Sequence, residues 1–440
     1  MCEQRAANNA ANLDKLCSWI HSQVPEMIRL ETLLSSIPAL APESGGSGEM
    51  AKCDALDRVL KNLGFSLFDR YDAPDIRVPS GKRPNMVVTV PGCDDLSVQK
   101  SSGSGISEKV APAGMSPRLW VVSHLDVVPP GELSLWKTDP WKVIEQDGKL
   151  FGRGVEDDQQ GLVASVFAAL AFLKTGIKPA YTVKLLFAAD EEVGSEYGIQ
   201  YLIREQELLQ STDFILIPDG GDPEGITIEV AEKNLMWLKF VTKGKQAHAS
   251  CPDQGSNAHL AACDLALRVH ALEESFDHRD PLFSPDRSTF QPTKKEANVP
   301  NVNTIPGEDI FYMDCRVLPF YSLDAVRTEL VRIMKDIEEK YGVSVTCTEE
   351  HAVESRATAA DAPVVQALST AISAVYGLKP YPVGIGGGTV GAYLRNAGLD
   401  AVVWGRLHGT AHQPNEYCVI ENLVGDACVM AAMMLGVAGH

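Results

Sequence analysis

The chain reads as an α/β protein: a mostly parallel sheet covered by helices, with a separate ferredoxin-like α+β domain inserted into it. Three observations predict this. A length of 440 residues exceeds what one ordinary core holds, so two domains are expected. Apolar runs of strand length at residues 119–123, 182–189 and 214–218 alternate with helical periods such as 161–173, the pattern of a sheet covered on both faces. Near Asn234 the order changes to β-α-β-β-α-β, the ferredoxin-like arrangement.

Taken in order, residues 13–34 predict one amphipathic helix, and 51–63 a second, stopped by Gly64. Residues 86–90 form a short strand ended by Pro91 and Gly92. Residues 98–117 are rich in Ser and Gly without an apolar period and read as a surface insertion. The three strands named above and their helix follow. The inserted domain comprises a strand at 235–242, a helix at 258–274, a short strand at 288–291, a strand at 310–317, a helix at 323–340 capped by Ser322, and a strand at 343–347. The α/β pattern then resumes with a helix at 362–376, a Gly-rich loop, a strand at 401–404 and a last helix from Ile420. This assigns 1–233 with 354–440 to one domain and 234–353 to the insertion.

The composition is ordinary for a globular chain, 45% hydrophobic and 22% charged. A net charge of -19 argues against a nucleic-acid partner, because phosphate binding needs basic patches. It leaves room for a local basic pocket and suits a protein that holds divalent cations. The 10 cysteines include no C-x-x-C pair, so neither a thiolate zinc site nor a redox motif is written here, and they read as reduced thiols. No apolar run reaches bilayer length, and residues 1–11 lack the pattern of a signal peptide. The expectation is a soluble cytoplasmic protein with a small-molecule substrate and no membrane partner.

The acids and histidines fall at strand ends. His124 and Asp126 follow the first strand, Asp190, Glu191 and Glu192 the second, and Asp219 the third. Ligands in open parallel sheets bind beyond the carboxyl ends of strands. Residues 152–157, Gly-Arg-Gly-Val-Glu-Asp, open the intervening helix and add Asp157 and Asp158. A single acid after a strand is usually a turn former or helix cap. Several crowded at one edge would repel each other, and a pair of divalent cations removes that cost. Histidine with carboxylates is a common zinc shell. In His124-Leu-Asp126, the histidine can ligate through one ring nitrogen while the aspartate accepts a hydrogen bond from the other. Glu191 and Glu192 point in different directions, so one can ligate while the other serves as general base.

Four motifs carry a resemblance: His-Leu-Asp-Val-Val-Pro at 124–129, Gly-Arg-Gly-Val-Glu-Asp-Asp at 152–158, Asp-Glu-Glu-Val-Gly at 190–194 and His-Gln-Pro-Asn-Glu at 412–416. In this order they resemble the aminoacylase, acetylornithine deacetylase, succinyl-diaminopimelate desuccinylase and carboxypeptidase G family of co-catalytic zinc hydrolases, and most closely an uncharacterised metallo-hydrolase branch of it. The resemblance implies two zinc ions, with cobalt or manganese as alternatives. Asp157 would bridge them, His124 and Asp219 would complete one site, and Glu192 and His412 the other. It implies Glu191 as general base and Asp126 as the partner of His124. His248, in the inserted domain, would stabilise an oxyanion, often from a partner subunit. Asn303 and Arg316 match positions near the substrate carboxylate, and Gly387 and Thr389 lie in the loop facing it. The implied enzyme is a zinc-peptidase-like amidohydrolase that cleaves a dipeptide or N-acyl amino acid, and a homodimer formed through the inserted lid domain. The chain departs from the family in carrying Gln159 and Gln160 where a Lys is usual, in having no acid in residues 388–391, and in the segment 406–411 before His412.

Competing readings remain. Spacing to Glu416 favours His412 over His408, and position at the strand end favours Asp219 over Asp222. Asp158 reads as a helix N-terminal acid, and Lys233 as a solvated charge rather than an aid to carboxylate binding. Arg316 can hold a carboxylate with its planar fork or simply pair with Asp314. The loop at 384–388 is either a flexible turn or an anion cradle. His21, His259, His270, His278 and His351 read as structural or exposed, and Trp136 and Trp141 as packing. Two other functions fit the ligands: a catalytically inactive metal-binding regulatory protein on the same fold, and a two-metal phosphoesterase.

Overall fold

Pro25 decides the shape of the N-terminal region. In the computed structural model, which describes residues 2–93, 117–206 and 208–437, two helices, Cys2–His21 and Val24–Ser35, replace the single helix expected over 13–34. A proline inside a helix removes one hydrogen bond and clashes with the preceding turn, whereas in the first turn of a new helix it is tolerated. Pro25 occupies such a first-turn position. The expected insertion at 98–117 lies outside the described residues, apart from Pro117.

The chain divides into two units by its internal contacts. The first comprises residues 1–230, 358–382 and 389–440, and the second residues 231–357 and 383–388. The main sheet has eight strands in the spatial order Phe68–Arg70, Met86–Val90, Val183–Ala188, Leu119–His124, Phe214–Ile217, Ala401–Val403, Thr227–Glu232 and Tyr381–Ile385. The four in the middle, from Val183–Ala188 to Ala401–Val403, run parallel, and antiparallel strands flank them. Every residue of Leu119–His124 is buried, which explains its continuous apolar run. Trp120 and Val122 pack with Ile199, Leu202, Val390 and Leu394 from the helices on one face. The helix Gln159–Thr175 covers the other face and is buried through Phe172, as expected of a helix apolar on every side.

The second unit holds a four-stranded antiparallel sheet in the order Thr289–Lys295, Glu308–Val317, Asn234–Lys243 and Ser344–Val353. Its two central strands alternate strictly: Met236, Leu238 and Phe240 point inward, as do Phe311, Met313 and Cys315. The helices Ala258–His270 and Leu323–Tyr341 close this core with Leu265, Val269, Leu330, Ile333 and Ile337. The Ser322 hydroxyl accepts from the amide of Ala325 at 3.3 Å and caps the second of these helices. The strands here run longer than expected at Thr289–Lys295 and Ser344–Val353, because their outer ends are polar and carry no apolar period.

Candidate metal centre

Register brings the acids together. Leu119–His124 pairs in parallel with Val183–Ala188, setting His124 opposite Ala188, and with Phe214–Ile217, setting Val121 opposite Leu216. All three strands therefore end at one edge, where Asp190 to Glu192 and Asp219 leave the second and third.

His124 is 3% exposed and sits at the centre. Its Nδ1 lies 3.0 Å from the backbone carbonyl of Asp126, so a proton there leaves the Nε2 lone pair free. Nε2 lies 2.9 Å from Asp157 Oδ1 and 3.8 Å from Asp219 Oδ2. The other oxygen of Asp157, Oδ2, lies 3.1 Å from His412 Nε2, which is also 3.0 Å from Glu192 Oε2. Asp157 thus offers one oxygen to each of two imidazoles. Two groups able to hold a cation result, His124 with Asp157 and Glu192, and His124 with Glu191 and Asp219. All five side chains expected as ligands converge here.

One expected contact differs in detail. The carboxylate of Asp126 is 3.6 Å from His124 Nδ1, and the backbone carbonyl takes the hydrogen bond instead. The carboxylate accepts from the amides of Glu191 at 3.1 Å and Glu192 at 3.0 Å, fixing the turn that carries both glutamates. That turn starts at Asp190, whose φ of 69° is left-handed. The Asp190 carboxylate is tied to the Tyr197 amide at 3.0 Å and to the buried guanidinium of Arg83 at 3.0 Å.

The electrostatics state the need for cations. Burial, then the charge of Asp157, pushes Asp219 up to about 7. Burial, then Asp219, raises Glu191 well above the usual carboxylate range, and burial with Asp157 raises Glu192. Burial works against charge on His124, yet hydrogen bonds to carboxylates, Asp157 and Asp219 among them, raise its pKa well above the usual value. Hydrogen bonds to Asp157 and Glu192 push His412 up to about 10. For Asp157 burial is outweighed by both histidines, which hold it low. Protons and imidazolium charges neutralise the cluster; divalent cations bound among the same nitrogen and oxygen atoms would do so more completely. Imidazoles and carboxylates without thiolate are donors that suit zinc, so the residues fit such a pair.

A family model described as peptidase family M20/M25/M40 matches residues 120–436. The chain belongs to this family. It is 36% identical over 423 residues to an uncharacterized metallohydrolase of Methanococcus maripaludis, covering 92% of this chain and 97% of that one. It is 24% identical over 360 residues to a succinyl-diaminopimelate desuccinylase of Coxiella burnetii, covering 78% and 93%. Its fold is similar to that of human carnosine dipeptidase 1, with a TM-score of 0.70, 16% identity and coverage of 97% and 98%. A tripeptidase from Staphylococcus aureus gives a TM-score of 0.71 at 18% identity, covering 94% and 98%. As a member of the M20/M25/M40 family the chain is a metal-dependent hydrolase. Among the described residues no helix is long and apolar enough to cross a membrane.

The residues of the competing readings have partners of their own. Asp222 accepts from the amides of Glu224, Gly225 and Thr227 and shapes its own turn. His408 packs its ring on Tyr417 and does not join the cluster. Asp158 is not a solvent-facing helix acid: it is 1% exposed, and its carboxylate takes the His124 amide at 3.1 Å. Trp136 packs under Arg153 and donates to the carbonyl of Pro130.

In the second unit, His248 stands exposed on the strand Ala247–His248. Its Nδ1 accepts from the Ser250 amide at 3.1 Å, which puts the ring proton of the neutral form on Nε2. Arg316 holds Asp314 through two bonds, at 2.8 and 3.0 Å, and donates from Nη1 to the Gly386 carbonyl at 2.7 Å. The pairing with Asp314 is therefore real, and it leaves one N–H on each terminal nitrogen. Asn303 is exposed and accepts from the Ala249 amide through its carbonyl. Gly387 follows the strand Tyr381–Ile385, in the segment 383–388 that belongs to this unit. Lys233 is not a solvated charge. It is 3% exposed, and its ammonium donates to the carbonyls of Pro285 and Arg287 at 2.7 and 2.6 Å. In the first unit, the Thr389 hydroxyl accepts from the Gly391 amide at the start of a short helix.

Sequence reasoning passed over Glu156 and Glu416 as site residues. Glu416, fully buried, accepts from the amides of Gly154, Glu156 and Asp157 at 3.0, 2.9 and 3.2 Å and from Arg153 Nη1 at 2.6 Å. Both acids lie inside the recognised motifs, which was the available signal. Most of their partners are backbone amides, which no side-chain pattern records.

Proposed function

We propose that this chain hydrolyses an amide bond adjacent to a free carboxylate in a dipeptide or N-acyl amino acid, using two divalent ions, zinc first among them. The observation that carries this is Asp157, with one oxygen toward His124 and the other toward His412. On this reading Asp157, His124 and Asp219 would hold one ion, and Asp157, Glu192 and His412 the other. A bound pair supplies Lewis acidity, activating water and polarising the scissile carbonyl.

The remaining chemistry belongs to the chain. Glu191 takes a proton from the attacking water and passes it to the leaving nitrogen. Burial and Asp219 already raise its basicity, which suits a base working near neutral pH. The Asp126 carboxylate orients Glu191 and Glu192 through their amides. His248, whose Nδ1 accepts from the Ser250 amide and whose Nε2 is left to donate, suits an oxyanion. Arg316 offers its remaining N–H groups to the substrate carboxylate, and the family resemblance suggests Asn303, Gly387 and Thr389 as further substrate-binding residues. The desuccinylase and dipeptidase names of similar proteins support a carboxylate-bearing amide substrate. The family resemblance also supports a homodimer, which light scattering tests.

A panel of dipeptides and N-acyl amino acids, read by amine release from metal-reconstituted protein, tests the reading. Chelator-sensitive release from at least one panel member is expected. Hydrolysis of phosphate esters alone, or of nothing on the panel, would overturn it.

A further inference from the structure

We infer that Glu156 is a positioning residue for the metal centre, holding the loop that carries His412. The inference rests on the proposed role of His412 as a ligand. Glu156 is 2% exposed, and its carboxylate is filled by donors from one short segment. It accepts from the His408 amide at 2.5 Å, the Thr410 hydroxyl at 2.6 Å, the Ala411 amide at 3.0 Å and the Thr410 amide. The Thr410 hydroxyl accepts in turn from the Tyr417 amide at 3.1 Å, closing the loop on itself.

His412 comes next, with φ at 62°, and Asn415 follows at 63°. Left-handed backbone is uncommon outside glycine, although Asn and His tolerate it better than most residues, and the Glu156 carboxylate supplies contacts that fix the segment leading into it. The Glu156 carboxylate accepts from four donors, where an amide would turn its NH₂ toward some of them. Glu416 makes the reverse connection, from the His412 loop to the amides around Asp157. Each loop thus grips the other through one buried acid, and in each the residue expected to ligate lies beside the gripped amides. Glu156 precedes the bridging Asp157 directly, so its clasp couples the positions of Asp157 and His412.

The test is titration of the metal-free protein with Zn²⁺ against a chromophoric chelator. Wild type should bind two ions. Glu156→Gln should retain one and bind the other about 10- to 100-fold more weakly, the usual cost of losing a group that orients a ligand. Its kcat should fall while KM stays within about twofold, because the substrate-binding groups are untouched. Glu31→Gln is the control. It removes another fully buried carboxylate, one whose oxygens have no hydrogen-bond partner among the described residues, and should leave both affinities unchanged. Two ions bound equally tightly by wild type and Glu156→Gln would overturn this inference alone. Wild type binding fewer than two ions would overturn the dinuclear reading and this inference with it. If Glu156→Gln fails to fold, Thr410→Val decides: weakening of one ion severalfold supports the clasp, and unchanged affinity overturns it.

Discussion

Asp157 and Glu191 illustrate two fates for a buried acid in one cluster. Asp157 faces two imidazoles and is held ionised, whereas Glu191 faces Asp219 and is raised. The first is what a bridging ligand needs and the second what a base needs. Glu191→Gln should therefore keep the metal content of wild type while kcat drops about 10²- to 10⁴-fold; metal analysis alongside steady-state rates checks it, and full turnover would remove the proposed base. His412→Ala should cost both an ion and turnover. Full metal stoichiometry in that variant, by elemental analysis, would contradict its role as a ligand.

At the scale of elements, the strand ends and the two clasped loops build the site together. The helix Gln159–Thr175 must also approach the end of Phe214–Ile217 closely. A Cβ on Gly161 would meet Asp158 Oδ1 at 2.3 Å and Pro218 Cγ at 2.5 Å, next to Asp219. Alanine usually stabilises a helix relative to glycine by about 1 kcal/mol. Here overpacking reverses the sign, and Gly161→Ala should destabilise by about 1–3 kcal/mol in urea denaturation and weaken metal binding. The strands and helices themselves were largely legible, because their apolar periods are clean. The helix break at Pro25 was legible too, but the strong period on either side of it masked the signal. Thr227–Glu232 and Tyr381–Ile385 were missed as strands because their runs are short or mixed in character.

For the molecule as a whole, stability and metal content are linked. His412 and Asp219 hold protons more tightly in the fold than their ordinary values of 6.5 and 3.8, reaching about 10 and about 7. A raised folded pKa contributes stability that is complete below the ordinary value and lost as pH rises through the folded one. Metal-free protein should therefore lose thermal stability as pH rises from about 4 toward 10, and Zn²⁺ should remove most of that slope. A melting temperature that climbs across this range without metal would contradict the assignment. If these residues ligate as proposed they must shed protons to bind, so zinc uptake near pH 7 should release protons, seen as buffer-dependent heats in calorimetry. Saturating zinc at about 1,000 times its dissociation constant should stabilise the fold by about 4 kcal/mol for each ion bound.

The linear chain by itself determined the α/β class, the ferredoxin-like insertion and the ligand candidates, because hydrophobic period and acids at strand ends are local signals. It also carried the four motifs that place the chain in its family. Only the tertiary structure decided which atom of Asp126 meets His124, that Lys233 is buried, and that Glu156 and Glu416 grip opposite loops. Those outcomes depend on backbone amides and carbonyls brought together from segments more than 250 residues apart in the case of the clasp. Every residue carries the same backbone groups, so side-chain letters alone do not say which of them a buried acid will meet.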